Sequence, residues 1–275
     1  MQSVHRTELS VDQLIAEFRR LFLLNAAQTE LMEDKLEINA IINNIKKVTL
    51  SDDTLLGYMK TLVRLSVHHE NVSVMVIRPL GYMYFWLTYT RMYLRAPDNG
   101  DLCCMIWTLI RNMSKLEDMR DTLVRSSIVC DIILYMQDDR LVVDHVRQVL
   151  WCEVLKNISE GYRHCDHIAS SGGIEALLYM MPRYIHAREL QKEACLVLYN
   201  LCHRLADDHV SEILDIKRIR EMVARDAITI VEAAGKTFVC GVRLAADNYA
   251  RAAHYNLLNI LRQRRDADEV ADIWR

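Results

Sequence analysis

One short pattern recurs along this chain at a spacing that limits which folds it can adopt. An apolar residue, any residue, an asparagine and a second apolar residue stand in that order at 110–113, 155–158 and 198–201. The asparagines are separated by 45 and then 43 residues. A period of roughly 40–47 residues is typical of stacked helical repeats. The spacing therefore predicts an array of similar helical units.

Weaker matches extend the pattern in both directions. In 257–260 the asparagine lies 59 residues after the preceding one, so we predict an insertion or a lengthened helix between residues 216 and 247. Residues 63–66 hold the same place ahead of the first match, with Arg64 standing 48 residues before the first asparagine. The array is thus expected to continue beyond the three clear units.

The composition supports helices as the building blocks. Glycine occurs 8 times and proline 3 times in 275 residues, whereas hydrophobic residues make up 51% of the chain. Because glycine and proline disfavour helices and form tight turns, their scarcity favours helix almost throughout. We predict an all-α fold with capping helices in 1–50, a repeat array in 51–262 and a C-terminal tail in 263–275.

The stretch 144–184 shows one predicted unit in full. A long amphipathic helix ends at 155–158, a turn follows at Gly161, a brief helix ends at 170–173, and another helix starts at Ile174. A unit of this kind cannot bury its apolar faces alone, so stacking on its neighbours completes a continuous core.

These units resemble armadillo repeats. The resemblance is carried by Asn157-Ile158-Ser159, Gly172-Gly173-Ile174 and Leu177-Leu178, and by similar residues in 112–138. It implies a right-handed α-solenoid of three-helix repeats whose third helices line an inner groove. It also implies a non-enzymatic adaptor or scaffold that binds a peptide or helical segment of a partner protein in that groove.

The resemblance implies a binding role for the repeated asparagines. A side-chain amide both donates and accepts hydrogen bonds, so a row of them can hold the backbone of an extended ligand. The alternative is that these residues only end the helix and bond neighbouring turns. The candidates of the row are Asn112, Asn157, Asn200 and Asn259, and the other groove positions are Arg111, Glu153, Lys156, Lys192 and Tyr255.

The predicted groove departs from armadillo proteins that bind basic nuclear-localisation signals. Those proteins are expected to carry tryptophan four residues before the asparagine, whereas this chain has Thr108, Glu153, Leu196 and Tyr255 there. Trp107 and Trp151 are offset from that position and are predicted to point into the core. The mixed charge of the groove favours an amphipathic or acidic segment as its ligand.

A second candidate interface is the aromatic helix predicted in 81–94. Interfaces are enriched in tyrosine and tryptophan, which bury large areas and keep a polar group. This helix favours an alternative function, in which the chain is a structural or assembly subunit of a larger complex, such as a cytoskeletal, flagellar or ubiquitin-ligase assembly. The other interpretation is that these side chains fill a capping core. The residues are Tyr82, Trp86, Tyr89 and Tyr93.

No pattern in the chain predicts catalysis or a cofactor. The stretch His164-Cys165-Asp166-His167 places two histidines on one helix face, but a structural zinc site needs four ligands and no second cluster is evident. No nucleophile, metalloprotease or dinucleotide-binding motif is present. We therefore expect neither an enzyme nor a bound metal.

Charge and hydropathy narrow the expected surroundings. The net charge of −3 provides no overall attraction for nucleic acid. No apolar run reaches the ~18 residues of a membrane-spanning helix. The eight cysteines form no CxxC pair, which favours reduced, mostly buried thiols and a location in the cytoplasm or, alternatively, the nucleus. We expect a monomer or a subunit of a complex with other proteins.

Overall fold

The computed structural model describes residues 26–47, 51–68, 71–72, 100–139, 145–202, 222, 225–238 and 262. Across these ranges every regular element is helical, so the all-α class is confirmed for this part of the chain. The α-helices, in chain order, are α1 Ala26–Lys47, α2 Asp52–Leu65, α3 Gly100–Ser114, α4 Glu117–Arg125, α5 Ile128–Gln137, α6 His145–Ser159, α7 Tyr162–Ser170, α8 Gly173–Met180, α9 Arg188–Cys202 and α10 Ala227–Phe238. A 3-10 helix, Met181–Tyr184, follows α8.

The chain forms two compact units, Met1–Met113 and Ser114–Arg275. In the first unit α1 packs against α2. Helix α2 begins where Ser51 accepts a hydrogen bond from the amide of Thr54, which satisfies one of the free N–H groups of its first turn. Buried aliphatic side chains, among them Ile38, Ile42 and Leu62, form the apolar contacts of this helix pair.

In the second unit, each helix of one group of three packs on the corresponding helix of the next group. Helix α9 packs along α6, α8 packs on α5, and α7 packs on α4. Each of these pairs joins two helices that are separated along the sequence by two other α-helices. The second unit therefore contains two successive helix triplets, α4–α6 and α7–α9, in contact at all three positions.

The turns before α5, α8 and α10 each contain one residue with a left-handed backbone. Ser127 before α5 has φ 65°, Gly172 before α8 has φ 88°, and Asp226 before α10 has φ 58°. In all three, the carbonyl accepts the amide of the residue four positions later at 3.0–3.3 Å. Helix α10 therefore begins in the same way as α5 and α8.

Gly173, directly after the left-handed residue Gly172, lies where the backbone of α7 passes closest. A Cβ atom at this position would stand 2.7 Å from the carbonyl oxygen of Ile168, too close for any side chain. Glycine therefore permits the tight approach between the end of α7 and the start of α8.

The core contains both tryptophans predicted for it. Trp107 in α3 and Trp151 in α6 are fully buried, and the ring of Trp151 lies 5.8 Å from that of Tyr135 between centroids. Six cysteines have side chains that the structure describes; none of the six forms a disulfide and four of them are buried, as the sequence predicted. The buried ones are Cys103, Cys152, Cys165 and Cys195.

Candidate partner-binding site

Helices α3, α6 and α9 end in the repeated asparagine pattern and are called the asparagine helices below. All three asparagines make the same contact: the side-chain amide donates a hydrogen bond to a serine hydroxyl at the end of an earlier helix. The pairs are Asn112 with Ser66 at 2.7 Å in the first unit, and, in the second, Asn157 with Ser114 at 2.8 Å and Asn200 with Ser159 at 2.9 Å.

The serines follow the same register as the asparagines. Ser114 and Ser159 each stand two residues after an asparagine of the pattern, and Ser66 stands two residues after Arg64. The contact at Ser66 therefore agrees with the alignment that placed Arg64 at an asparagine position. Sequence reasoning assigned no role to these serines, although the recurrence of serine two residues after Asn112 and Asn157 was a usable signal.

The serine hydroxyl also anchors the end of its own helix. The hydroxyls of Ser66 and Ser159 each donate to the carbonyl three residues earlier at 2.7 Å. One hydroxyl thus donates to a carbonyl of its own helix and accepts from the asparagine of the next asparagine helix. This arrangement ties two helix ends together through a single side chain.

The asparagines have little surface left for a ligand. Asn112 and Asn157 are 5% and 6% exposed, whereas Asn200 is half-buried. The carbonyl oxygen of Asn112 also accepts from the guanidinium of Arg111, at 3.1 Å from Nη2. These contacts are the ones expected if the asparagines bond neighbouring turns, and their binding of a ligand stays a prediction.

Beside the asparagines, each of these helices presents one partly exposed row of side chains, called the exposed stripe below. Its members are half-exposed and spaced i, i+4 and i+7, which places them on one face of a helix. The predicted groove residues Arg111, Glu153, Lys156 and Lys192 all belong to it. The full stripe is Cys104, Thr108 and Arg111 on α3, Val149, Glu153 and Lys156 on α6, and Lys192, Leu196 and Tyr199 on α9.

A buried carboxylate organises the charges between α6 and α9. Glu193 is 4% exposed, and its two oxygens meet the ammonium groups of Lys156 at 2.7 Å and Lys192 at 3.3 Å. Lys192 also approaches Glu189 at 3.5 Å. Partial burial acts to lower the pKa of Lys192, but the carboxylates of Glu193 and Glu189 outweigh it and raise that pKa above its ordinary value.

The carbonyls at the ends of α2, α3 and α6 are hydrogen-bonded by side chains from farther along the chain. In each case the donor lies six residues after the acceptor: Asn71 bonds the carbonyl of Leu65, and Arg120 bonds that of Ser114, both at 3.2 Å. The ring of His164 lies 3.2 Å from the carbonyl of Ile158 in the same arrangement. Such contacts satisfy acceptors that an α-helix leaves without intrahelical partners.

In the stretch His164-Cys165-Asp166-His167, the first two side chains form hydrogen-bond contacts with neighbouring helices. His164 lies between Asp121 and the end of α6, and the thiol of Cys165 donates to the carbonyl of Ser159 at 3.1 Å. Within the described ranges no three His, Cys, Asp or Glu side chains stand together as a metal site would require.

Several predicted site residues lie outside the residues that the structure describes. They are Asn259 and Tyr255 of the predicted groove, and Tyr82, Trp86, Tyr89 and Tyr93 of the aromatic helix. Among the helices that are described, none combines the length and apolar character needed to cross a bilayer.

No protein-family model matches the chain, and a search of curated proteins finds no similar sequence. The residues and contacts within the chain are therefore the basis for its function.

Proposed function

We propose that this protein is an armadillo-like, right-handed α-solenoid that acts as a non-enzymatic protein-interaction module. In this proposal the asparagine helices are the third helices of the repeats, and a peptide or helical segment of a partner binds along the exposed stripes of α6 and α9 in the second unit. The single observation that carries the proposal is the asparagine-to-serine bond, which recurs at three joints in the register that the sequence period predicts.

The packing of the second unit supports the repeat architecture. Stacking of α7 on α4, α8 on α5 and α9 on α6 is what a solenoid requires, because each repeat completes its core only against its neighbour. Such stacking places equivalent side chains of successive repeats side by side. An extended surface for one continuous ligand is the usual functional consequence.

The chemistry of the stripe in the second unit favours an amphipathic partner. Val149, Leu196 and Tyr199 offer partly exposed apolar surface, whereas Lys156 and Lys192, which pair with the buried carboxylate of Glu193, add polar groups to the same stripes. Apolar anchors surrounded by polar groups are typical of protein interfaces. Asn200, which is half-buried, is the candidate among the three described asparagines for direct contact with the ligand.

Site-specific cross-linking tests this proposal. A photoreactive amino acid is placed at Leu196 or Tyr199 on the stripe and, as the matched control, at Leu134 on α5, which is 63% exposed and outside the stripe. We expect a discrete cross-linked partner from the stripe positions and none from position 134. Cross-linking of the same proteins from all three positions would contradict a binding site on the stripe.

Substitution then tests whether the stripe supplies the affinity. The double variant Leu196→Glu with Tyr199→Ser should weaken capture of the cross-linked partner at least about tenfold, because it removes two apolar contacts and adds a charge. Helical content by circular dichroism should stay unchanged, since both side chains are half-exposed. Leu134→Glu serves as the control for an added surface carboxylate and should leave capture intact.

A further inference from the structure

The side chain of His164 joins two successive triplets of the second unit. It lies on α7 and is 14% exposed. Its Nε2 atom is 2.7 Å from Oδ1 of Asp121 on α4, and its Nδ1 atom is 3.2 Å from the carbonyl oxygen of Ile158 near the end of α6. One imidazole ring thus contacts both the first and the last helix of the preceding triplet.

Both partners of the ring are hydrogen-bond acceptors. A peptide carbonyl cannot donate, and an ionised carboxylate cannot donate either. Neutral imidazole carries one N–H group, whereas imidazolium carries two. Only the charged form of His164 can therefore donate to both partners at once, and the neutral form can donate to only one of them.

The carboxylate of Asp121 stays ionised in this contact. The hydrogen bond with His164 is the main cause that holds the pKa of Asp121 below its ordinary value. Its slight desolvation works in the opposite direction, and the positive charges of His164, Arg125 and Arg163 add to the lowering. Asp121 therefore acts as an acceptor throughout the range in which histidine changes its charge.

The backbone at residue 161 leaves room for the His164 ring only because this residue is glycine. A Cβ atom at residue 161 would stand 2.5 Å from Nδ1 of His164, so only glycine fits there while the ring stays in place. The amide of Gly161 also donates to the carbonyl of Ile158, at 3.2 Å. The glycine predicted as a turn residue thus makes the histidine contact sterically feasible.

We propose that the α4–α7 joint is a protonation-dependent clasp, closed by the His164 imidazolium between Asp121 and the carbonyl of Ile158 and loosened when that ring loses its proton. The charged groups around it are Arg125 on α4, Arg163 on α7 and the neighbouring ion pair between Arg120 and Glu160. Histidine ordinarily changes its charge between about pH 5 and 8. Contact between the two triplets therefore strengthens as the pH falls through this range, a property that does not depend on the proposed partner.

The same joint contains a matched control that does not titrate in this range. Arg120 on α4 pairs with Glu160, and its Nε atom also donates to the carbonyl of Ser114 at 3.2 Å. Like His164, Arg120 links the end of an asparagine helix to a distant carboxylate. Arginine stays charged at all relevant pH values, so its contact with Glu160 should not change between about pH 5.5 and 8.0.

Double-mutant cycles on the full chain test the clasp. Urea unfolding is measured at about pH 5.5 and 8.0 for wild type, His164→Gln, Asp121→Asn and the double variant. We expect a favourable coupling between residues 164 and 121 at the lower pH that falls by at least half at the higher one. The cycle of Arg120→Gln with Glu160→Gln should give the same coupling at both pH values. An absent 164–121 coupling at the lower pH, or an equal one at both, would overturn the proposal.

A variant that changes no titratable group provides an independent test. Gly161→Ala places a methyl group against Nδ1 and should displace the ring from the carbonyl of Ile158. We expect this variant to lose the part of the pH dependence that distinguishes wild type from His164→Gln. Full retention of that pH dependence in Gly161→Ala would show that the ring does not act from this position, and the clasp would be rejected.

Discussion

Helices α6 and α9 hold equivalent places in successive triplets, but the buried amide in the first turn of each has a different environment. Gln148 and Gln191 both stand nine residues before the asparagine, and both are fully buried. The amide of Gln191 donates to the carbonyls of Met181 at 2.7 Å and Tyr184 at 2.9 Å. Among the described residues, neither polar atom of the Gln148 amide has a hydrogen-bond partner.

This difference shows that two side chains can hold equivalent positions in successive triplets and still differ in their hydrogen bonds. At the far end of the two helices, Asn157 and Asn200 make the same bond to serine, so the helices have the same alignment in the stack. Near the start, the 3-10 helix Met181–Tyr184 supplies carbonyls that Gln191 binds. Equal position in a repeat therefore fixes which side chain is buried, whereas the preceding turn decides whether its amide N–H groups find acceptors; the amide oxygen has no partner among the described residues in either glutamine.

Among the substitutions predicted here for α6 and α9, Gln191→Leu should cause the largest loss of stability. Leucine fills a similar volume but removes the amide donor of the Met181 carbonyl and one of the two donors of the Tyr184 carbonyl, which keeps the amide of Ala187 at 2.8 Å. Losing a donor at a buried acceptor costs roughly 1–3 kcal/mol, so with both bonds removed we expect a loss of about 3 kcal/mol in the free energy of unfolding. Urea denaturation measures it, and a loss no greater than that of Gln148→Leu would remove the distinction between the two helices.

The asparagine contacts should show a smaller difference between the same helices. Asn157→Ala removes a donor that is 6% exposed, and we expect a loss of about 2 kcal/mol. Asn200→Ala removes the same bond from a half-buried residue that water can partly replace, so the loss should be about 1 kcal/mol. Thermal and urea unfolding of both variants measure the difference.

Serine variants show whether these losses belong to the bond itself. If Asn157 acts through Ser114, the variant Ser114→Ala should remove most of the additional effect of Asn157→Ala, and Ser159→Ala should do the same for Asn200→Ala. Additive effects in both pairs would mean that the asparagines stabilise the stack by another route.

Gln148→Leu should have the opposite sign from Gln191→Leu. Replacing a buried amide that has no partner among the described residues with an apolar side chain of similar size removes a desolvation cost, so we expect a gain of about 1 kcal/mol. The measurement is the same urea unfolding series. A clear loss of stability would show that Gln148 has a partner in solution, and the contrast with Gln191 would then disappear.

The sequence predicted the features of these helices that repeat and missed those that depend on neighbours. Spacing located Asn112, Asn157 and Asn200 because one residue type recurs at one position. The turn at Gly172 was foreseen because glycine readily adopts a positive φ, whereas Ser127 and Asp226 adopt one without that signal.

The periodic sequence pattern does not predict which residues far apart in sequence contact each other. His164 was a weak candidate for a metal site, yet its partner Asp121 lies 43 residues earlier, and nothing in the pattern around either residue indicates the pair. The burial of Glu193 between two lysines is similar, because it depends on how α6 and α9 pack. Only the packed helices determine which charges meet.

The thiols of Cys152 and Cys195 also occupy equivalent positions in α6 and α9, and here we expect the smallest difference. Burial raises the pKa of Cys195 to about 12. Burial raises the pKa of Cys152 as well, and the negative charge of Glu193 is the next largest cause of this increase. Because the thiolate is the reactive form, both thiols should resist alkylation near neutral pH in the folded protein.

Mass spectrometry after brief iodoacetamide treatment measures this resistance. Label should appear at the half-buried Cys104 and Cys130 before it appears at Cys152 and Cys195, so the first two serve as internal controls for the reagent. Rapid labelling of Cys152 with Cys195 protected would mean that α6 opens before α9. The two helices would then differ in local stability as well as in hydrogen bonding, because a buried thiol reacts only when its surroundings open.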